Sequence, residues 1–517
     1  MLAPFFALTT GTVLKPLFPT VIVLDVALDM PSRPVFETAI PMSSIEHPPR
    51  PAASFKAGYG RAPNLLPPSP TCYPARMTRP LTARRPATPL HGTITVPGDK
   101  SISHRALMFA ALAIGETQIH GLLEGEDVLR TAAAMRALGA QITQTAPGLW
   151  HVTGAGIGGL REPDDVLDMG NSGTAARLLA GILATHPIVS ILTGDASLRR
   201  RPMARVTTPL SQTGAIFASR QGGRLPLAIT GTGQAMPITH RMTVASAQVK
   251  SALLLAGLNA RGTTRIEEPI PTRDHTENML RHFGADIRIE HHPDGTRIIH
   301  LQGQPELIAA NVTVPADPSS AAFPLVAALL VPGSEITVRN IGLNPLRTGL
   351  LTALLAMGAQ LTITNHRTEG GEPVGDITAT ATQLHAADTP PDLVPSMIDE
   401  FPILAVACAC ATGTSRLRGL SELRVKESDR LSATAALLHA NGARVQIADD
   451  DLIIHGTGAP PPGGALVQTH MDHRLAMSAL VLGTLTQAPV RVDDTEFIDT
   501  SFPGFCALMT TLGCHFA

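Results

Sequence analysis

One short pattern recurs six times in this chain of 517 residues, and it limits the fold more than any other feature. An apolar residue, three others, a glycine, a small residue, any residue and an apolar residue read MRALGAQI at 135–142, LSQTGAIF at 210–217 and LRHFGADI at 280–287. The pattern continues as LLAMGAQL at 354–361, LHANGARV at 438–445 and MTTLGCHF at 509–516. The central glycines (Gly139, Gly214, Gly284, Gly358, Gly442, Gly513) lie 70 to 84 residues apart. A glycine between an amphipathic run and a short apolar run marks a helix ending in a left-handed residue, with a strand beyond it. Glycine follows many helices singly, but six copies at similar spacing indicate an internal repeat. Each unit is longer than a solenoid repeat, so each is a small α/β subdomain, and six divide into two domains of three.

The break falls after the third unit, where NVTVPADPSSAAFPLVAALL at 311–330 opens a new strand, turn and helix. The opening strand HGTITVP at 91–97 resembles VTVP at 312–315 and is expected to join the C-terminal half. The chain then crosses twice, near Pro97 and Pro315, which is a natural hinge for a cleft. Domain one is therefore expected to be discontinuous, 77–98 with 315–517, and domain two to span 99–314. Residues 1–76 differ: they hold 14 of the 44 prolines and both tyrosines, without helical or strand period. They are expected to lie outside the fold, as an extension or a mis-called start ahead of Met77.

Composition removes several function classes. A net charge of −2 gives no bulk attraction to nucleic acid or anionic membrane, and 3 % aromatic residues offer few base-stacking platforms. Five cysteines without a CxxC pair argue for a reducing compartment and against a zinc site. No apolar run reaches membrane-spanning length. A cytoplasmic monomer without nucleic-acid, membrane or metal partners is the expectation.

Several predicted helices start with small or polar residues, at 98–113 (Ser101 and Ser103 as candidate caps), 170–184 (around Gly173), 246–258, 427–438 and 471–482. Unpaired N–H groups and a partial positive charge at such starts favour phosphate and carboxylate. Plain capping accounts for each one alone. The coincidence with cations does not follow from capping: Lys100, Arg105, Arg201, Lys426, Arg430 and Arg474 lie at or near these starts in a chain only 16 % charged. Arg199 and Arg200 fit a solvated face. Together the cations imply a ligand with more than one anionic group. Asp399 and Glu427 stand among them, suited to general acid/base work.

These residues resemble one family, the 3-phosphoshikimate 1-carboxyvinyltransferases (5-enolpyruvylshikimate-3-phosphate synthases). PGDKSISHRALMFAALA at 97–113, GNSGTAARLL at 170–179 and RVKESDRL at 424–431 are similar to its signatures. GDASLRRRPM at 194–203, SAQVKSALLLAGL at 246–258, TRDHTENML at 272–280 and DHRLAM at 472–477 also fit, with wording like the class II bacterial branch. The resemblance runs from about His91 to the end. It implies an α/β fold of two similar domains, each of three βαβαββ units (an inside-out α/β barrel). It implies transfer of the enolpyruvyl group of phosphoenolpyruvate to the 5-hydroxyl of shikimate 3-phosphate, by addition and elimination, without cofactor or metal.

Carried over by position, Asp399 takes the hydroxyl proton and Glu427 protonates the methylene carbon. Lys100 touches both substrates. Ser101, Arg105, Ser246, Ala247, Gln248, Arg273, Asp399 and Lys426 bind shikimate 3-phosphate. Gly173, Arg201, Gln248, Arg430 and Arg474, with Lys100, bind phosphoenolpyruvate. Two positions depart from the family pattern. Asp499 and Thr500 stand where much of the family has a lysine before its TFP-like turn. Ala247 replaces the second serine of a Ser-Ser-Gln trio and offers only its backbone, for which Arg273 is expected to compensate. The alternative is the sister UDP-N-acetylglucosamine enolpyruvyl transferase, but the loop at 198–206 lacks its Cys or Asp and Lys100-Ser101 replaces its Lys-Asn pair. A non-catalytic anion-binding repeat protein leaves Asp399 and Glu427 together unexplained.

Overall fold

The computed structural model describes residues 78–517. The expectation that residues 1–76 stand apart therefore lies outside the described residues. All six repeat glycines carry a left-handed φ, between +86° and +111°. Each ends a helical segment and hands the chain to a strand, as from Glu126–Ala137 to Gln141–Ala146.

Among the described residues the strands form six four-stranded sheets of one design. In the sheet at 167–230, Leu167–Asp168 runs parallel to Val189–Thr193, which pairs antiparallel with Arg224–Thr230, which pairs antiparallel with Ile216–Arg220. The other five repeat this order. Three of them complete themselves from afar. His91–Ile94 pairs parallel with Glu335–Gly342, while Val312–Thr313 pairs parallel with Glu116–His120. The two strands that follow the same sequence pattern are thus exchanged, each serving the sheet opposite to its own helix. The sixth sheet takes Leu81–Arg84 from the other end of the chain, between Val490–Val492 and His515–Phe516.

Each sheet covers one helix that is apolar around most of its circumference. Such a helix is stable only when enclosed. Lys100–Leu112, Gly173–Ala184 and Ala247–Gly257 share one core built from residues between Ile102 and Val314. Pro318–Leu330, Phe401–Cys410 and His473–Gly483 share a second, built from Ala83 to Val96 and Ala316 to Cys514. Helices lie inside and sheets outside. Each fully buried Leu, Ile or Phe in these triplets stabilises by about 1.5–3 kcal/mol. No single helix among the described residues is long and apolar enough to cross a membrane. The bent pair Pro391–Met397 and Phe401–Cys410 matches in composition, but all of Phe401–Cys410 is packed in the second core.

The two crossings lie side by side. Gly98 pairs with Ala316, Asp99 N–H donates to Pro315 O at 2.8 Å, and Asp317 N–H donates to Pro97 O at 2.9 Å. A Cβ on Gly98 would sit 2.0 Å from Gly121 O, so this crossing requires glycine. Asp99, not Ser101 or Ser103, caps the first helix: its Oδ1 accepts Ile102 N–H at 2.9 Å, which leaves both serines inside the helix. Asp317 caps the corresponding helix of the other core. Arg347 joins both caps, reaching Asp317 Oδ1 at 2.9 Å and Asp99 Oδ2 at 3.5 Å, and Glu400 at 3.3 Å. Burial raises both aspartates. At Asp99 Arg347, His275, the Ile102 N–H and Arg273 together outweigh burial and bring the carboxyl down to about 2. Asp317, beside ionised Asp99, is pushed up to about 6.

A second set of glycines presses the sheets onto the helices. A Cβ on Gly154, Gly231, Gly303 or Gly456 would lie 2.0 to 2.1 Å from a carbonyl oxygen at the end of an inner helix, respectively Ala113, His186, Ala260 and Ala411. Backbone cannot give way as a side chain can, so Gly231→Ala is expected to destabilise by about 1–3 kcal/mol or more. Urea unfolding checks this; an unchanged midpoint contradicts the packing.

Candidate active site

Six inner-helix N-termini, three from each core, converge on one cavity of about 390 Å³. Its lining includes Lys100 and Ser101, Gly173, Ser246 to Gln248, Asp317 and Ser319, Asp399, and His473 and Arg474. All candidate residues line this cavity except Arg430. Arg430 is fully buried behind the wall and holds Asp472 through Nε at 2.8 Å, Asp399 through Nη1 at 3.2 Å, and Glu427 through Nη2.

Local sequence explains each placement. Ser172 accepts Ala175 N–H and Ser246 accepts Val249 N–H, so Gly173 and Ala247 start their helices with bare amides toward the cavity. At Gly173 a Cβ would stand 2.9 Å from Arg201 Nη1 and 3.2 Å from Arg177 Nη1. Asp472 accepts Arg474 N–H at 3.0 Å and sets the start of the last inner helix. Glu427 lies in a turn before the helix Arg430–Ala440, so it is not a first-turn acid. Asp399 does not cap Phe401–Cys410, where Glu400 occupies the cap position.

The two acids face cations from both cores. Arg273 Nη2 reaches Asp399 Oδ2 at 2.6 Å, and Arg474 Nε stands 4.0 Å from Asp399 Oδ1. Arg201 Nη1 reaches Glu427 Oε1 at 3.5 Å, and Ser197 Oγ donates to Glu427 O at 2.9 Å. Lys100 pairs with Asp127. Burial pushes Asp399 up, but Arg273, Arg474, Lys426 and Arg430 together outweigh it and hold the carboxyl well below the ordinary range. Burial likewise opposes, and Arg430 and Arg201 overcome, at Glu427. Burial lowers Lys426, with Asp399 opposing. Burial with nearby Lys100 keeps His473 neutral.

Arg105 spends its guanidinium on the protein: Nε donates to Thr276 Oγ1 and Nη2 to Ser251 Oγ, both at 2.7 Å, and Nη1 to Ser101 O at 2.8 Å. Arg199 and Arg200 are exposed to solvent, whereas their neighbour Arg201 is buried. Sequence reasoning missed Asp127, Arg177, Arg205, Asp317, Arg347 and His473. Arg177 lies four residues beyond Gly173, on the same helix face, and donates to Gln248 Oε1. Burial and then Arg201 bring Arg177 down to about 9. That helical spacing was a readable signal. Asp127 meets Lys100 from the next helix of the same unit, and Arg347 meets Asp99 from a distant one; no local pattern reveals either contact.

A carboxyl held low in the fold contributes stability above its unfolded value and loses it as pH falls toward the folded value. For Glu427 this loss starts near 4.5 and continues downward. The stability difference between the wild type and Glu427→Gln in urea should therefore shrink as pH falls from 6 to 3. A constant difference contradicts the ion pairing.

Comparison with known proteins agrees with this geometry. A family model described as EPSP synthase (3-phosphoshikimate 1-carboxyvinyltransferase) matches residues 84–509. The chain is 69 % identical over 443 residues to a 3-phosphoshikimate 1-carboxyvinyltransferase of Granulibacter bethesdensis, covering 85 % of this chain and 98 % of that one. It is 69 % identical over 436 residues to the Acidiphilium cryptum protein of the same name, covering 84 % and 97 %. A solved EPSP synthase from Acinetobacter baumannii superposes with a TM-score of 0.75 at 42 % identity, covering 85 % of this chain and all of that one. The chain belongs to the EPSP synthase (3-phosphoshikimate 1-carboxyvinyltransferase) family.

Proposed function

We propose that the cavity residues divide the reaction between two acids and a shared ring of cations. The chain is a transferase that moves the enolpyruvyl group of phosphoenolpyruvate to the 5-hydroxyl of shikimate 3-phosphate. Shikimate 3-phosphate lies against Ser101, Ser246, the Ala247 amide, Gln248, Arg273 and Lys426. Phosphoenolpyruvate lies against Lys100, Gly173, Arg201, Gln248 and Arg474. Arg105 shapes the Ser101 backbone, and Arg430 steadies both acids from behind. Domain two is taken as 99–314 and domain one as 77–98 with 315–517, in a cytoplasmic monomer.

The observation that carries these roles is the pairing of Asp399 and Glu427 to one buried guanidinium, with different arginines facing each acid. Asp399 accepts the 5-hydroxyl proton while that oxygen bonds to C2 of phosphoenolpyruvate. Glu427 gives a proton to C3, producing the tetrahedral intermediate. Phosphate then leaves as C3 returns a proton, restoring the double bond. Planar arginine forks match the phosphate and carboxylate oxygens of the donor.

Glu427→Gln is expected to lower kcat by roughly 10²–10⁴-fold while shikimate 3-phosphate still binds. Single-turnover kinetics and titration calorimetry measure the two parts, and near-normal turnover removes the acid role. Arg474→Ala is expected to weaken donor binding by about 1.5–3 kcal/mol, seen as a raised KM for phosphoenolpyruvate; an unchanged KM contradicts the assignment. Assay with a UDP-sugar acceptor, where no turnover is expected, checks acceptor choice.

A further inference from the structure

We propose that Lys250 is a positioning residue for Arg273, fixing both halves of the acceptor-phosphate pocket to one helix. This rests on the reading of Arg273 given above. Lys250 lies two residues beyond Gln248 on the helix Ala247–Gly257, close to the opposite face; it does not line the cavity and is completely buried. Its ammonium donates to Thr272 O at 3.1 Å and to Glu268 Oε2 at 3.3 Å, and it stands 2.8 Å from Glu277 Oε1 and 3.0 Å from Glu268 Oε1 as an ion pair with both carboxylates. Glu268 Oε1 also accepts Thr272 N–H at 3.0 Å and the Thr272 hydroxyl. The peptide groups on both sides of Thr272 are thus held by this ion pair. Arg297, nearly buried, stands 3.7 Å from Glu268 and 3.6 Å from Glu277, so two cations balance two carboxylates.

The next residue is Arg273, whose guanidinium crosses to Asp399 at 2.6 Å. A buried ion cluster contributes little stability beyond well-packed apolar groups. What this one achieves is geometric. It ties the 270–273 loop to the helix that presents Ser246, Ala247 and Gln248, so the side chain of Arg273 and the amide of Ala247 keep a constant separation. A guanidinium binds an anion strongly only when its fork is already aligned.

A double-mutant cycle on the full chain tests this, reading KM for shikimate 3-phosphate, KM for phosphoenolpyruvate and kcat, with a thermal melt of each variant. Arg273→Ala is expected to raise the shikimate 3-phosphate KM roughly 10- to 100-fold. Lys250→Met is expected to raise it roughly 10-fold, with the phosphoenolpyruvate KM within about twofold. In the Arg273→Ala background, Lys250→Met should add no more than about twofold, although it still lowers the melting temperature. If Lys250→Met does not fold, Thr272→Val replaces it. That variant removes only the hydroxyl tether and should raise the same KM roughly threefold, again without effect beside Arg273→Ala. Equal increases in both KM values, or full multiplication in the double variant, would overturn the positioning role. So would a neutral Lys250→Met, or a neutral Thr272→Val used in its place, beside a damaging Arg273→Ala. A neutral Arg273→Ala overturns the reading of Arg273 and the positioning role with it.

Discussion

The cavity depends on one electrostatic constraint: many cations are held close together in a water-poor space, and something must neutralise them. Asp399, Glu427 and Asp127 do so here, each against an arginine or lysine from a different element. Those pairings keep Asp399 and Glu427 ionised far below the usual carboxylate range. An ionised Glu427 is no proton donor, and an Asp399 so stabilised is a weak base. In the proposed roles, catalysis therefore calls for anions that compete for the same guanidinium groups. A phosphate at Arg273 and a phosphate or carboxylate at Arg201 withdraw positive charge from Asp399 and Glu427 respectively. Each added anion also raises the neighbouring acid by direct repulsion. On the proposed roles, substrate charge does chemical work as well as binding, because it tunes both acids toward the protonation states that those roles need.

The fold supplies the rest of the neutralising field. An enclosed apolar helix cannot turn its side to water, so its exposed functional feature is its end. Six such helices, three per core, bring their N-terminal amides to one cavity. Peptide dipoles then favour anions at that point without adding mobile charges. The exchanged strands His91–Ile94 and Val312–Thr313 place both crossings at the helix starts that carry Lys100 and Ser319. Arg347, bound to the caps on either side, makes that junction part of the same charge network.

Much of this was legible because it is local. The six glycines recur because a helix-to-strand reversal needs a left-handed residue, and all six have that conformation. Arg201, Glu427 and Arg474 were found because each lies near a helix start or a charged turn. What was illegible is tertiary. Ser101 and Ser103 looked like caps, but Asp99 reaches Ile102 N–H first and its carboxylate is the stronger acceptor. The second glycine set, Gly154 to Gly456, stands in a recurring run (VTGAG at 152–156, ITGTG at 229–233, LQG at 301–303, IHGTG at 454–458), but nothing local explains why that run needs glycine. Its cause is a carbonyl from a helix some forty residues away in sequence. Arg347 joins the site through Asp99 of another unit and Asp127 through Lys100 of the preceding helix, and only assembled coordinates reveal such meetings.

Arg430 shows why residue type and helix position do not by themselves define a ligand contact. Its place at a helix start among acids suits a substrate clamp, yet it lies wholly beneath the cavity floor. From there it reaches both acids and Asp472. A buried guanidinium paired to three carboxylates is suited to be a counter-charge, whereas Arg201 and Arg273 line the cavity where a ligand would meet them. This separation has a chemical consequence. When the facing arginines turn to substrate, Arg430 still prevents either acid from becoming an unpaired buried charge. The acids then move up in pKa by the loss of one partner each, not of all. That is a graded shift, suited to groups that must both hold and release a proton within one turnover.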